Sequence, residues 1–244
     1  MVSGSLNYIL NQMELFLSDY PPPLDIAIKI NLQSPPLPLA PRTDASFLEQ
    51  IIDRLLSNGY SVTLVEGADG HLRENISAVG LGKYLDTPRV KCIDLDTEDD
   101  VLLIERGHRQ YPIPRVLLRS KLRFAVPCAT KRHGYLFSCN VKTFVGILPR
   151  SMCKNGTSSI FSRPMIHEDL EVTVSDLYGV VMETVPFQFY LNGGNTISEF
   201  SDIRTLPRYY CSNDPIELDE HIANILQAEI PPYLVRLKKL VKNR

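Results

Sequence analysis

The run from Asp25 to Glu66 constrains this chain more than any other, because a strand pattern, a helix pattern and a second strand pattern follow one another there. In DIAIKINL, Ile26, Ile28 and Ile30 alternate with more polar partners, the period of a strand. After the proline-rich SPPLPLAP stretch, Asp44 is placed to cap a segment in which Phe47, Leu48, Ile51, Ile52, Leu55 and Leu56 repeat at helical spacing, and Gly59 ends it. Ser61–Glu66, SVTLVE, is the second strand. A strand–helix–strand unit of this kind requires parallel strands and a right-handed crossover.

The same alternation continues. A helix is expected across Asn75 to Leu85, strands over Arg89 to Leu95 and Val101 to Arg106, a turn at Pro112 and Pro114, a short helix, and a strand from Leu122 to Val126. Further on, Glu168 to Met182 carries a helical apolar stripe, Pro186 to Leu191 reads as a strand, and Asn192, Gly193 and Gly194 form a turn. Asp214 caps PIELDEHIANILQA with Pro215 at the first helical position, and a last helix runs from Tyr233 to Lys242. The fold class is therefore α/β, a mostly parallel sheet with flanking helices, arranged as two lobes around a cleft. The expected divisions are an N-terminal amphipathic helix and linker over 1–24, an α/β lobe over 25–115, and a second α/β lobe over 116–244.

Length and charge narrow the function. With 244 residues and 44% hydrophobic content the chain can bury a sizeable core. Its 26 Lys plus Arg against 28 Asp plus Glu give no general attraction for a polyanion, so no nucleic acid is expected as partner. Met1 to Pro23 is helical in pattern, but Asn7, Asn11, Gln12 and Glu14 interrupt its apolar residues, which argues against a signal peptide or a membrane span. It reads as a helix packed on the body, with an oligomer contact as its further expected use. Five cysteines without CxxC spacing argue against a disulfide framework or a closed zinc site and point to a reducing cytoplasm. In that compartment the sequons at Asn75 and Asn155 are chance matches.

Candidate chemistry concentrates between Val126 and Pro149, VPCATKRHGYLFSCNVKTFVGILP. The change from apolar to cationic at Thr130 places Lys131, Arg132 and His133 beyond the carboxyl end of a strand, the usual site position in open α/β sheets. A lysine among other cations has a lowered pKa and histidine titrates near neutrality, so Lys131 and His133 together suit anion binding and proton movement. Lys142, set among Val141, Phe144, Val145 and Ile147, joins them as a partly desolvated cation. His71 after the glycines of GADGH and Arg42 in the proline loop face the same sheet edge, and His167 opens a later helix. The chain has no GxxxxGK[ST], GxGxxG or GxSxG segment, and HEDLE at His167 lacks the second histidine of a zinc-protease helix.

The order of these motifs resembles the prokaryotic family known as domain of unknown function 362. The likeness rests on IAIKINL, SVTLVEG, PCATKRH with Lys131 and His133, VKTFVG with Lys142 and Gly146, IHEDL with His167, and CSNDPIELDEH with Asp214, Pro215 and Asp219, over about residues 25 to 240. Thr143 stands where that family usually has asparagine, and the CxxCxxCxxxCP run that longer relatives use for iron–sulfur clusters is missing here. EGADGHLREN, with His71 and Arg73, is similar to a loop in the amino-terminal half of the lactate racemase family. That likeness implies a nickel- or iron-dependent enzyme, with His71, His133 and His167 as candidate ligands.

The resulting expectation is an enzyme acting on a small anionic metabolite, a carboxylate or phosphate, in an interlobe cleft. His133, Lys131 and Lys142 are its catalytic candidates, and Arg42, His71, Arg132 and His167 would hold substrate. A metal-dependent enzyme of the racemase type and a non-catalytic ligand-binding or assembly protein are the alternatives. No cofactor is identified from the sequence.

Overall fold

The computed structural model describes residues 1–32, 42–132, 135–153, 163–198 and 202–242. In chain order the strands are β1 (Val2–Gly4), β2 (Asp25–Ile30), β3 (Ser61–Glu66), β4 (Val90–Asp94), β5 (Val101–Arg106), β6 (Arg109–Pro114), β7 (Leu122–Val126), β8 (Thr130–Arg132), β9 (Tyr135–Ser138), β10 (Phe189–Asn192), β11 (Asn195–Ser198), β12 (Asp202–Thr205) and β13 (Tyr209–Ser212). The helices are α1 (Leu6–Leu17), α2 (Ala45–Ser57), α3 (Leu72–Ala78), α4 (Val116–Arg119), α5 (Asn140–Thr143), α6 (Pro164–His167), α7 (Leu170–Thr184), α8 (Pro215–Ile225) and α9 (Pro232–Lys242).

A seven-stranded sheet in the order β1-β13-β10-β7-β2-β3-β4 forms the centre. The run from β10 to β4 is parallel throughout, and β13 and β1 extend it antiparallel. The chain steps from β2 outward to β3 and β4, then returns across the sheet to β7 and steps the other way to β10. This reversal puts the topological switch point between the carboxyl ends of β2 and β7. It also sends the crossovers to opposite faces. One face packs Ile26, Ile28 and Ile30 against α1, α2 and α3 through Ile9, Met13, Phe47, Leu48, Ile51 and Ile76. The other packs Val65, Ala125 and Tyr190 against α7, α8 and α9 through Leu177, Val181, Ile222 and Leu234. The structure is thus mixed α/β, with a mostly parallel central sheet flanked by helices.

Several element ends follow from side-chain chemistry. Asp44 accepts from Phe47 N and starts α2. Gly59, at φ 88°, ends the turn after it in the left-handed region. Asp214 accepts from Ile216 N and Glu217 N ahead of Pro215, and so starts α8. Asp169 does the same for α7 through Val172 N.

The structure departs from the sequence reading in four places. The helix expected across Asn75 to Leu85 is instead α3, Leu72–Ala78, and a separate 3-10 turn, Gly82–Asp86, parted by Gly80 at φ 85°. Residues 2–4 form the edge strand β1 on β13, and the N-terminal helix begins only after Ser5, whose hydroxyl accepts from Tyr8 N. Pro112 and Pro114 do not mark a turn: they lie inside β6, which pairs with β5 around the Gly107–His108 turn. Counting from the hydrogen-bonded pair Arg106 and Arg109, the prolines fall opposite Leu103 and Val101 at non-hydrogen-bonded positions, where a missing N–H costs nothing. Finally, the cationic run after Val126 is not a loop. Thr130–Arg132 is strand β8 of a four-stranded sheet ordered β12-β11-β8-β9.

Candidate functional site

Lys29 and Glu66 sit at the carboxyl ends of neighbouring parallel strands, and both side chains are wholly buried. Lys29 stands opposite Val65 and Ala125, so it faces the α7–α8 side of the sheet, away from the isoleucines of its own strand. Taking two charges out of water costs several kcal/mol per ion unless geometry and further hydrogen bonds compensate. Here they do. Lys29 Nζ donates to Glu66 Oε1 at 2.9 Å and to Ile30 O at 2.7 Å. The carboxylate accepts in addition from Gly67 N at 2.9 Å and Leu32 N at 3.1 Å. Burial pushes the Lys29 ammonium below its ordinary pKa, and Glu66 pulls it partly back.

A second buried pair lies against the first. Arg163 Nη2 donates to Asp96 Oδ1 at 2.7 Å and its Nε to Leu148 O at 2.6 Å. Asp96 also accepts from Arg150 N at 2.8 Å and Asp69 N at 3.1 Å. Arg150 Nε approaches Asp96 Oδ2 to 3.0 Å without hydrogen-bond alignment. Asp94 accepts from Ala68 N, Gly70 N and Leu72 N and so shapes the GADGH loop after β3. Two glycines let these parts meet. A Cβ on Gly146 would stand 2.8 Å from Lys29 Nζ and 3.0 Å from Glu66 Oε1. One on Gly67 would run into Arg163 Nη2 and lie 2.9 Å from Gly146 O.

Residues 139–150 bridge from this cluster to a third buried group. Asp219 of α8 is wholly buried. Its Oδ1 accepts from Asn140 N at 2.7 Å and Asn140 Nδ2 at 2.8 Å, and its Oδ2 from Val141 N at 3.0 Å. It therefore caps α5, whose own preceding residue, Cys139, makes no side-chain cap. Asn192 Oδ1 accepts from Asn140 Nδ2 at 2.7 Å, and Asn192 Nδ2 meets Cys139 Sγ at 3.1 Å and Pro127 O at 3.3 Å. Burial raises the Asp219 carboxyl to about 7 despite its three N–H donors, and lifts the Cys139 thiol well above the ordinary range. Asp219 thus belongs to the core rather than to a helix's polar face.

The residues singled out from sequence separate. Lys142, half-buried on α5, lies within electrostatic reach of His167 at the end of α6: burial lowers the proton affinity of His167, the hydrogen bond to Arg163 O raises it in part, and the Lys142 ammonium and Arg163 guanidinium lower it further. His167 Nδ1 lies 2.9 Å from Arg163 O. A carbonyl only accepts, so Nδ1 carries the proton of the neutral ring and Nε2 is its basic nitrogen. Lys131 is engaged elsewhere, donating to Gln227 O at 3.0 Å just beyond α8, where a cation suits the helix end. His71 is exposed beside Glu74, with Nδ1 3.6 Å from the carboxylate. Arg42 is half-buried and pairs through its backbone with Leu32, just past the end of β2. His133 and the Arg132 side chain lie outside the described residues. Among the described residues no three His, Cys, Asp or Glu side chains are grouped to hold a metal ion. Asn75 is buried and donates to Leu32 O, and Asn155 lies outside the described residues. No helix among the described residues is long and apolar enough to cross a membrane.

Lys29, Glu66, Asp96 and Arg163 were missed from sequence. A lysine among isoleucines in IAIKINL and a glutamate closing SVTLVE were the available signals for the first two, whereas nothing local marks Asp96 or Arg163. A family model described as Domain of unknown function (DUF362) matches residues 26–239 of the chain. No curated protein matches it.

Proposed function

The chain belongs to the DUF362 family, and on that premise we propose that it binds a small anionic metabolite, a carboxylate or a phosphate, beside Lys142 and His167, and moves a proton to or from it. The observation that carries this reading is the placement of His167, its Nδ1 tied to Arg163 O beside the packed Arg163–Asp96 pair, within electrostatic reach of the Lys142 ammonium. A cation next to a histidine does two things at once. It attracts an anion, and it adds to the burial that favours the neutral imidazole, the form in which Nε2 accepts a proton. Lys142 and His167 belong to the VKTFVG and IHEDL segments on which the family likeness rests. Arg163 ties Leu148 O, and Lys29 and Glu66 close in on Gly146 so that a side chain there would not fit, which fixes the chain that follows α5. The fold adds the general expectation that ligands of open α/β sheets bind outside the carboxyl ends of the strands.

Calorimetric titration of inorganic phosphate and sulfate into the full chain tests the reading. Lys142→Ala should weaken binding by about tenfold or more, roughly 1.4 kcal/mol. His167→Gln should keep binding and lose any proton uptake or release that accompanies it, measured by repeating the titration in buffers of different ionisation heat. Unchanged affinity in Lys142→Ala and unchanged proton linkage in His167→Gln would place the site elsewhere.

A further inference from the structure

We propose that Asp219 is a positioning residue for Lys142: its carboxylate holds the first turn of α5, and loss of that charge releases the turn and with it the orientation of the lysine. The proposal rests on Lys142 being the anion-binding cation. Its geometric basis is separate. Asn140 and Val141 are the first two residues of α5, so their N–H groups have no partner within the helix. Asp219 Oδ1 and Oδ2 take both, at 2.7 and 3.0 Å, from a neighbouring helix. The two bonds come two and one residues before Lys142. Cys139, which occupies the cap position, supplies no side-chain bond in their place.

A proton on Asp219 turns one of these acceptors into a donor. The backbone N–H that Oδ2 accepts is that of Val141, so a proton there sets O–H against N–H and breaks that bond. A buried acceptor stands ready to take it. Asn140 Oδ1, on the amide already bound to Asp219, has no hydrogen-bond partner among the described residues. The protonated group thus has a second bonding arrangement that gives up the Val141 N–H while Oδ1 keeps that of Asn140.

The surroundings leave Asp219 as the group that changes charge. Cys139 ahead of α5, Tyr190 of β10 and Tyr233 of α9 all act on it or are acted on by it, and burial pushes each of them up, so they stay neutral through the neutral range. From β13, Tyr210 is likewise raised by burial and meets His221 of α8 ring to ring at 5.5 Å. Lys238 of α9 is paired with Glu220 of α8 at 2.6 Å. The ordinary range of the buried Asp219 carboxyl is displaced upward by desolvation, to about 7.

Inorganic sulfate is the probe, because its charge is constant over the pH range in question. Its affinity for the wild-type chain should rise by at least about fivefold between roughly pH 6 and pH 8, the lower end of ordinary coupling between two sites. Protonation of His167 acts in the opposite direction, tightening anion binding as pH falls, so it cannot produce this rise. Asp219→Asn should bind weakly across the whole range and lose the dependence. A wild-type affinity that is flat or falls with pH would overturn the proposal, as would an Asp219→Asn variant that keeps the rise.

A second measurement needs neither the ligand nor a folded variant. Amide hydrogen exchange of Val141 in the wild-type chain, corrected for its intrinsic rate, should lose protection as pH falls through about 7, while Asn140, whose N–H stays on Oδ1, keeps its own. Protection that does not change with pH would sink the proposal whatever sulfate does. If protection changes as expected but Lys142→Ala binds sulfate like wild type, Asp219 still holds α5, and it is the anion-site reading that fails.

Discussion

Lys29 and Glu66 satisfy one another so fully that neither tolerates the loss of its partner. Lys29→Met leaves a buried carboxylate with only the Gly67 and Leu32 N–H donors, and a cost of about 3–5 kcal/mol is expected from urea unfolding. Lys29→Met with Glu66→Gln should cost clearly less than the sum of the single changes, which a double-mutant cycle measures. Asp219 makes a prediction of opposite character. Its folded-state pKa, near 7, lies above the ordinary carboxyl value of 3.8, so between those values the folded chain binds more protons than the unfolded one. Stability should therefore fall as pH rises from about 4 to about 7, by up to roughly 4 kcal/mol, and the slope should flatten in Asp219→Asn. The ionised carboxylate is the costly form and also the one that caps α5. The site's charges were only partly legible in the sequence. Lys29 stood out among isoleucines, but a period of two tells which residues share a face and not whether that face is covered. Both faces of β2 are packed, so the polar side of the alternation lies inside the protein rather than at its surface.

Among the elements, those with local signals were readable and those made by distant pairing were not. Asp44, Gly59, Asp169 and Asp214 set helix ends by bonds to residues only a few positions away, and α2, α7 and α8 fall close to their expected positions. The small sheet had no such signal, since β8 pairs with β11 through Thr130 and Ile197, far apart in sequence. Lys131, which the sequence places beyond the end of one strand, is therefore a residue of another and reaches the end of α8. The β5–β6 hairpin failed for another reason: proline was read as a breaker without regard to which ladder position it takes. Register makes this testable. Pro112→Ala should change stability by no more than about 1 kcal/mol, mostly through the unfolded chain. Ile113→Pro, one residue along at a hydrogen-bonded position opposite Leu102, should cost several times more in the same unfolding experiment. Equal effects at the two positions would mean that the register does not govern the hairpin.

For the whole molecule, the order of strands decides what can fold alone. A division after residue 115 looked natural in the sequence because the regular strand–helix alternation weakens there. Yet β7, which follows it, sits between β10 and β2, and Ile26 to Ile30 pair along their full length with Leu122 to Val126. A fragment of residues 1–115 would keep β2, β3 and β4 but lose the neighbour of β2 and the α7–α9 layer over one face. It would also expose Lys29 and Glu66, because Gly146 and Arg163 come from the other half. Residues 116–244 would keep β7 and β10 with an open edge where β2 belongs. Neither fragment should show dispersed amide proton resonances or a cooperative thermal transition when made separately. Mixed at equal concentration, the two should recover the native near-ultraviolet dichroism, since the missing contacts lie between them and not within either. A cooperative transition in the 1–115 fragment alone would show that the first three parallel strands and their helices form a unit of their own, with the buried charges added to it rather than built into its core.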